Sequence, residues 1–267
     1  MIKPLVRGAL HRLGYTLVKY RTRAGGFDVG TALGGAGARY DADMEPEFRA
    51  LHARCAEFTM TPPERMYNLW LAVRHVLTHH IPGDIVECGV WRAGSAMLCA
   101  HALREQGDSD RRVWLYDTFE GMAAPTERDV DPEGLIDTRE IWTRSQKGEH
   151  NEWCYASLDD VRRNMTSTGF PGSRTVFVKG KVEETLPKTT PDRIALLRLD
   201  TDWHDSTAAE LAHLYPKLSP GGVLLVDDYG QWKGQREAVD AYLAKHRIPM
   251  LLSRIDAAAR MGIKPAH

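Results

Sequence analysis

Residues 196–207 read LLRLDTDWHDST, and residues 221–229 read GGVLLVDDY. Each stretch is an apolar run of strand length that ends abruptly in acids, and the carboxyl ends of parallel strands open onto the ligand crevice of an α/β sheet. These two runs predict that four carboxylates meet at one place: Asp200, Asp202, Asp227 and Asp228. Crowded carboxylates repel one another unless a cation lies between them, so the pattern favours a divalent metal site. The alternative is that these acids only cap helices and solvate the loops behind the strands.

The size and charge of the chain limit its architecture and its partners. Its 267 residues suit one large α/β domain with an appendage, since single cores stop growing at ~250–300 residues. We predict an N-terminal helical and linker extension over residues 1–58 and a main domain over residues 59–267. The 35 basic and 36 acidic residues nearly cancel, which leaves no overall field to hold nucleic acid.

The cysteines and the hydropathy pattern bear on where the protein resides. Cys55, Cys88, Cys99 and Cys154 lie far apart without a C-x-x-C pair, which argues against a disulfide framework and against a zinc knuckle. No apolar run reaches the ~18 residues of a membrane span, and the N-terminus lacks a signal-peptide pattern. We therefore expect a soluble, unprocessed, cytoplasmic protein.

The first 23 residues are basic and amphipathic. They contain six Lys or Arg and no acid, and their apolar residues recur at helical spacing. Such a segment could make weak contact with an anionic membrane surface, but docking onto its own domain or onto a sister subunit in a homo-oligomer is the favoured interpretation. Residues 25–38 are glycine-rich without periodicity, as in a linker.

The first half of the main domain has the pattern of a nucleoside-binding fold. A helix is predicted from residue 62 to the Pro82-Gly83 pair, then a strand over 84–89, a glycine turn, and a helix from 96 to about 104. Such a turn presents backbone N–H groups to a ligand, although its spacing is not the dinucleotide G-x-G-x-x-G. The next strand, over 113–117, ends in Asp117, a candidate ribose acceptor whose alternative role is capping its own turn.

Residues 122–157 have no sustained period but contain Trp142, Trp153 and Tyr155. A long irregular segment with aromatic residues is typical of a lid or a binding loop, so we interpret it as the substrate lid. Behind it, a helix over 157–165 and a strand over 175–180 are predicted. Thr207 and Glu210 have capping-box spacing, Asp205 is expected to help start the same helix, and residues 250–255 and 259–264 are predicted to be two closing strands.

Four motifs together resemble the macrocin O-methyltransferase group. They are DIVECGVWR at 84–92, YDTFEGM at 116–122, Asp-x-Asp at 200–202 with Asp-Ser-Thr at 205–207, and PGG through DDYG at 220–230. The likeness runs in matching order from about Thr59 to Lys264, which is more specific than any one motif. Residues 1–40 lie outside it, and the lid matches only in part.

The resemblance implies a class I methyltransferase fold: a Rossmann-like, seven-stranded, mostly parallel sheet with helices on both faces and the last strand antiparallel. It implies a metal held by Asp200, Asp227 and Asp228, with Asp202 as the general base. It places eight residues around S-adenosylmethionine: Met60, Glu87, Gly89, Ser95, Asp117, Thr118, Val182 and Glu183. Within this set Glu87 and Gly89 belong to the methionine end, Asp117 to the ribose, and Val182 with Glu183 to the adenine. The departures from the family are Ala93, where glycine is common, and the Trp203-His204 pair beside the base.

The residue types also indicate the chemistry. A sugar hydroxyl is a weak nucleophile, and a divalent cation that binds two neighbouring hydroxyls lowers the pKa of one of them. An all-carboxylate ligand set prefers Mg²⁺ or another hard cation to zinc. Asp202 would accept the proton. His204 is the rival base, because imidazole ordinarily titrates at pH ~6.5. The alternative role for His204 is that of a surface residue at a helix end.

The predicted function is therefore a Mg²⁺-dependent transfer of a methyl group from S-adenosylmethionine to a hydroxyl of a sugar, on a natural-product glycoside, a polysaccharide or a nucleotide sugar. A metal-independent O-methyltransferase acting on a non-sugar small molecule is an alternative. A nucleotide-sugar oxidoreductase is disfavoured by the glycine spacing. A non-catalytic cofactor-binding scaffold is disfavoured because it has no need of four converging carboxylates.

Overall fold

The computed structural model describes residues 43–266. Its strands are β1 (Asp84–Cys88), β2 (Val113–Asp117), β3 (Gln146–Lys147), β4 (His150–Asn151), β5 (Thr175–Lys179), β6 (Ile194–Leu199), β7 (Leu218–Val226), β8 (Ser253–Arg254) and β9 (Arg260–Ile263). Seven of them form one sheet in the order β5-β2-β1-β6-β7-β9-β8, while β3 and β4 form a separate hairpin. The first five strands of the sheet are parallel, and β9 is antiparallel to both of its neighbours. The predicted sheet, including the antiparallel last strand, is confirmed.

Eight α-helices accompany the sheet within the described residues. They are α1 (Pro46–Cys55), α2 (Pro63–Thr78), α3 (Gly94–Glu105), α4 (Thr138–Arg144), α5 (Leu158–Ser167), α6 (Val182–Thr185), α7 (His204–Leu214) and α8 (Lys233–Lys245). In residues 43–266, no helix is both long and apolar enough to cross a bilayer. Helix α1 belongs to the compact unit that begins at Glu45.

The central strand β6 shows why the sheet is covered on both faces. All six of its residues are buried, as expected for a continuous apolar run rather than an alternating one. Leu197 and Leu199 join the core cluster that includes Leu211 and Leu214 of α7. On the opposite face, Leu196 and Arg198 meet α2 and α3 at Leu69, Ala96 and Cys99. Helices therefore lie on both faces, as predicted.

Some predicted details are wrong. Helix α7 begins at His204, so Thr207 and Glu210 lie inside the helix and form no capping box, whereas Asp205 lies in the first turn as expected. The predicted strand over 250–255 shortens to two residues, and the predicted lid contains α4 and the β3–β4 hairpin. The predictions for residues 1–23 and 25–38 lie outside the described residues.

Glu210 is a fully buried acid on α7. Its Oε1 accepts a hydrogen bond from Thr201 Oγ1 at 2.8 Å, and its Oε2 has no hydrogen-bond partner among the described residues. Burial raises the pKa of Glu210 from its ordinary 4.5 to about 8. The folded chain therefore favours the neutral acid here.

This burial predicts a pH-dependent stability. Because the folded-state pKa is raised, the contribution of the neutral acid is complete below pH 4.5 and is lost as the pH rises through about 8. Glu210→Gln lacks this titration, so the free energy of unfolding of the natural chain should fall by ~3 kcal/mol relative to the variant between pH 5.5 and pH 8. Chemical denaturation across this range measures the difference. If the free energies of unfolding of the natural chain and of Glu210→Gln differ by the same amount at every pH, the burial of Glu210 does not hinder its ionisation.

Candidate active site

A cleft of about 530 Å³ opens at the carboxyl ends of the parallel strands. Each of those five strands contributes a residue at or just beyond its end: Gly89, Asp117, Gly180, Asp200 and Asp227. This edge of the sheet is the one at which open α/β sheets bind ligands. The sequence-predicted residues Met60, Thr118, Val182, Glu183, Asp202 and Asp228 also line the cleft.

The turn after β1 brings backbone into close contact with β6. Gly89 has φ +81°, and a Cβ there would lie 2.0 Å from the Asp200 carbonyl oxygen, so only glycine fits. Asp117 closes the same turn from β2: its Oδ2 accepts from the backbone N–H groups of Val90 at 2.7 Å and Trp91 at 3.2 Å. Its Oδ1 accepts from Phe119 N at 2.7 Å, so the turn-capping role is confirmed. Carboxylate oxygens have further lone pairs, which leaves Asp117 able to accept from a ligand as well.

A buried arginine, Arg198 of β6, connects the strand ends. Its Nη1 donates to Glu87 Oε1 at 2.5 Å and to Asp200 Oδ2 at 2.7 Å, and its Nη2 donates to Asp227 Oδ1 at 2.7 Å. The side chain is 4% exposed, and Nη2 also donates to Thr61 Oγ1 at 3.1 Å. Glu87 in turn accepts from Ser95, and neither Glu87 nor Ser95 lines the cleft. These two predicted cofactor residues therefore contact Arg198 rather than the cleft.

Arg65 of α2 is a second cation in the cluster. Its Nη1 donates to Asp227 Oδ2 at 2.5 Å and lies 3.8 Å from Asp228 Oδ1, while its Nε donates to Asp256 at 2.6 Å. Two arginine side chains therefore supply part of the positive charge for which the sequence had suggested only a metal ion. Sequence reasoning missed both arginines; the signal for Arg198 was a single charge within an apolar strand.

The charges of the cluster remain unbalanced. Five carboxyl groups lie within 4.0 Å of the two guanidinium groups: Glu87, Asp200, Asp227, Asp228 and Asp256. Asp202 adds a sixth carboxyl group beside Asp200 and Asp228. Burial raises the pKa of Asp200 and Asp228 well above the ordinary range, and burial with the charge of Asp200 raises the pKa of Asp202 to about 8. Burial acts in the same sense on Asp227, but Arg198 and Arg65 outweigh it and hold its pKa below the ordinary value.

These donors fit a hard divalent cation. Carboxylate oxygens of Asp200, Asp202 and Asp228 lie within 4.8 Å of one another, and oxygen ligands are those that Mg²⁺ prefers. Asp227, a ligand in the predicted set, lies in the same cluster, but both of its oxygens accept from arginines. Of the four predicted acids, Asp200, Asp202 and Asp228 thus form one group, and Asp227 lies against Arg65 and Arg198.

The two candidate bases lie in different surroundings. Asp202 lines the cleft with its backbone in the left-handed region, at φ 68°. His204 does not line the cleft; its Nδ1 lies 2.7 Å from Asp205 Oδ1, and its Nε2 lies 2.8 Å from Arg128 Nη1 of the lid. Both ring nitrogens of His204 therefore contact residues that do not line the cleft, which favours Asp202 as the base.

The lid covers the cleft with apolar and aromatic side chains. Met122, Ile136, Ile141, Trp153 and Cys154 line the cleft from this segment, joined by Trp232 from the loop after β7. The indole of Trp203 packs edge-to-face on both Trp153 and Trp232, with ring centroids 5.7 and 5.4 Å away. Of the three aromatic residues that led us to predict a lid, Trp153 lines the cleft, whereas Trp142 and Tyr155 do not.

Strand order and the position of the cleft define a class I methyltransferase fold. The solved structure of the O-methyltransferase NovP has a TM-score of 0.68 to this chain at 34% identity, covering 78% of this chain and 82% of that one. The family model described as Macrocin-O-methyltransferase (TylF) matches residues 38–261. The chain belongs to this family, and its identity as an O-methyltransferase is confirmed.

Two curated relatives are similar over most of their length. The 8-demethyl-8-(2,3-dimethoxy-alpha-L-rhamnosyl)-tetracenomycin-C 4'-O-methyltransferase of Streptomyces olivaceus is 34% identical over 235 residues, which is 85% of this chain and 86% of that protein. The demethyldecarbamoylnovobiocin O-methyltransferase of Streptomyces niveus is 36% identical over 198 residues, 74% of this chain and 72% of that protein.

The arrangement around Arg198 predicts a large cost for its loss. Arg198→Met should lower the free energy of unfolding by about 3–5 kcal/mol, because it leaves buried carboxyls without their cation. The control is the same substitution at Arg54, whose pair with Glu105 lies 3.2 Å apart with side chains 50% and 44% exposed. Arg54→Met should cost less than about 1 kcal/mol. Equal losses in chemical denaturation would contradict the proposed importance of the buried pairings.

Proposed function

We propose that this chain transfers a methyl group from S-adenosylmethionine to a hydroxyl of a sugar, with the help of a hard divalent cation, most simply Mg²⁺. One observation carries the proposal: Asp200, Asp202 and Asp228 cluster in the same cleft as the Gly89 turn and Asp117. Cofactor-binding and metal-binding groups thus share one space. The family supports methyl transfer, and the names of both curated relatives describe methylation of glycosylated or novobiocin-type natural products.

The cofactor would lie along the ends of β1, β2 and β5. Gly89 would allow close backbone approach at the methionine end, Asp117 would accept from the ribose, and Val182 with Glu183 would contact the adenine; all four residues line the cleft. Met60 and Thr118 also line this space. Glu87 and Ser95 would act indirectly, because their hydrogen bonds hold Arg198 beneath the site.

Asp200 and Asp228 would hold the cation, and Asp227 and Asp202 are the candidates for a further ligand. When bound, the cation would lower the pKa of a sugar hydroxyl and fix its orientation. Asp202 faces the cleft from the turn after β6 and would accept the proton of that hydroxyl. The lid and Trp232 would exclude water from the reacting atoms.

The rim of the cleft indicates what carries the sugar. Met60, Ile136 and Ile141 line the cleft while remaining 61%, 38% and 39% exposed, and the neighbouring Leu135 is 83% exposed. Among the described lining residues the cations are Lys181 and Arg65, and Arg65 is already paired with Asp227 and Asp256. An apolar rim with few available cations favours a sugar on an apolar aglycone over a nucleoside diphosphate sugar.

Beyond the site, we propose a soluble, cytoplasmic homo-oligomer in which residues 1–58 extend the methyltransferase domain of residues 59–267. Size-exclusion chromatography with light scattering would test the oligomeric state.

The decisive experiment is a methyl-transfer screen with labelled S-adenosylmethionine. Glycosides of apolar aglycones, free sugars and nucleotide sugars are each assayed with Mg²⁺ and with excess EDTA. We expect methylation of a sugar hydroxyl in the apolar glycosides, its loss in EDTA, and its recovery with added Mg²⁺. Full activity in EDTA would point to a metal-independent enzyme, and methylation of non-sugar hydroxyls alone would refute the sugar acceptor.

The base assignment predicts a selective loss of turnover. Asp202→Asn should lower kcat by ~10²–10⁴-fold while the Kd for S-adenosylmethionine changes less than about twofold, because the amide cannot accept the proton. Calorimetric titration with Mg²⁺ separates the roles of the acids. If Asp202→Asn abolishes Mg²⁺ binding and Asp227→Asn preserves it, Asp202 is a metal ligand and the base lies elsewhere.

A further inference from the structure

The lid is bonded to α7 at the residues where that helix begins. Trp203 Nε1 donates to the lid carbonyl of Ala123 at 2.9 Å, and His204 N donates to Asp129 Oδ1 at 2.7 Å. Arg128 Nη1 lies 2.8 Å from His204 Nε2. The residues that make these three contacts with the lid, Trp203 and His204, directly follow Asp202 in the chain.

Asp129 is the buried member of this set. It is 0% exposed, and while its Oδ1 accepts the first N–H of α7, its Oδ2 accepts from Thr126 N at 2.7 Å and Thr126 Oγ1 at 2.8 Å. A Cβ on Gly234 of α8 would lie 2.2 Å from Oδ1, so the surroundings fit this carboxylate closely. The positive end of α7 favours a carboxylate at this position. A residue of the lid thus provides the N-terminal cap that sequence spacing had assigned to Thr207 and Glu210.

The turn between β6 and α7 is short, so its two ends determine how Asp202 is oriented. Asp202 itself has φ 68°, a conformation that a non-glycine residue keeps only when its surroundings impose it. On the inner side, Thr201 Oγ1 is held by Glu210 and Ser206, both at 2.8 Å. On the outer side, the start of α7 is held by Asp129.

We propose that Asp129 is a positioning residue for Asp202. Its hydrogen bond from His204 N fixes the point at which α7 begins, and with it the angle at which Asp202 enters the cleft. Docking of the lid onto the start of α7 then also positions Asp202, the proposed base. The inference rests on the proposed function only for the role of Asp202; the coupling of the lid to the turn is a property of the fold.

His204→Pro removes the N–H of α7 that Asp129 Oδ1 accepts. Proline suits the first position of a helix, and Trp203, with φ −91° and ψ 159°, already has the extended conformation required before proline. His204→Ala removes the same side chain but keeps the N–H. The comparison of these two variants therefore tests the contact between Asp129 and the start of α7, which proline breaks both by losing the N–H and by placing its ring Cδ against Asp129 Oδ1. We expect kcat to be ~10- to 100-fold lower in His204→Pro than in His204→Ala, with the cofactor Kd within about twofold.

Asp129→Ala is the complementary variant, and Asp131→Ala is its matched control. Asp131 is also a buried lid aspartate, at 4% exposure, but it accepts from Glu133, Leu135 and Ile136, all within the lid. We expect Asp129→Ala to act mainly on kcat, and Asp131→Ala to act mainly on the acceptor KM. Equal effects on kcat and KM in both variants would overturn the proposal, because they would show that only the integrity of the lid matters.

Hydrogen exchange separates this inference from the proposed function. The amides of residues 200–205 should exchange faster in Asp129→Ala than in Asp131→Ala, by at least about tenfold, whatever acceptor the enzyme uses. Unchanged exchange there would refute the coupling even in an active enzyme. If the natural chain methylates no sugar but the exchange difference is found, the function fails and the coupling stands.

Discussion

Arg198 places a positive charge inside the sheet, where an unpaired guanidinium would cost several kcal/mol. Its burial is tolerable because β1, β6 and β7 each direct a carboxylate at it: Glu87, Asp200 and Asp227. The same ion pairs bring these three acids to one side of the sheet. Because Asp227 is further held by Arg65, the cluster keeps a surplus of carboxylates at Asp200, Asp202 and Asp228. The buried guanidinium of Arg198 thus organises the acidic cluster for which we propose a divalent cation.

Much of this arrangement follows from sequence because its cause is local. Apolar runs ended by acids predict strands, the rule that parallel strands open at their carboxyl ends brings those acids together, and a glycine turn between strand and helix predicts a ligand-facing backbone. The sequence left two roles open for Asp117, capping its turn or binding a ligand. In the structure Asp117 caps its own turn and also lines the cleft. Sequence did not reveal the pairing of Arg65 with Asp227, because residues 162 positions apart meet only through the tertiary fold.

Where the structure departs from what local spacing suggested, a polar group has a partner that is distant in sequence. Thr207 and Glu210 have capping-box spacing, yet α7 begins three residues before Thr207 and receives its cap from Asp129. His204 was the rival base because of its residue type, but Arg128, 76 positions away in sequence, contacts its Nε2, and the residue does not line the cleft. Glu87, which the resemblance placed at the methionine end of the cofactor, pairs with Arg198 and does not line the cleft. Local spacing in the sequence suggests which partners a polar group could have, and the tertiary packing determines which partner it contacts.

The site therefore divides into two parts with different physical constraints. Strand ends fix the acids and the cofactor turn within the buried sheet, where a shift of one side chain disturbs several ion pairs at once. The lid supplies the apolar rim, which makes few polar bonds and tolerates exchange of one hydrophobic side chain for another. Its bonded contacts with α7 are confined to Ala123, Arg128 and Asp129. Exchange of Leu135, Ile136 or Ile141 for another hydrophobic residue would therefore alter the apolar rim without removing the contacts that hold the turn of Asp202.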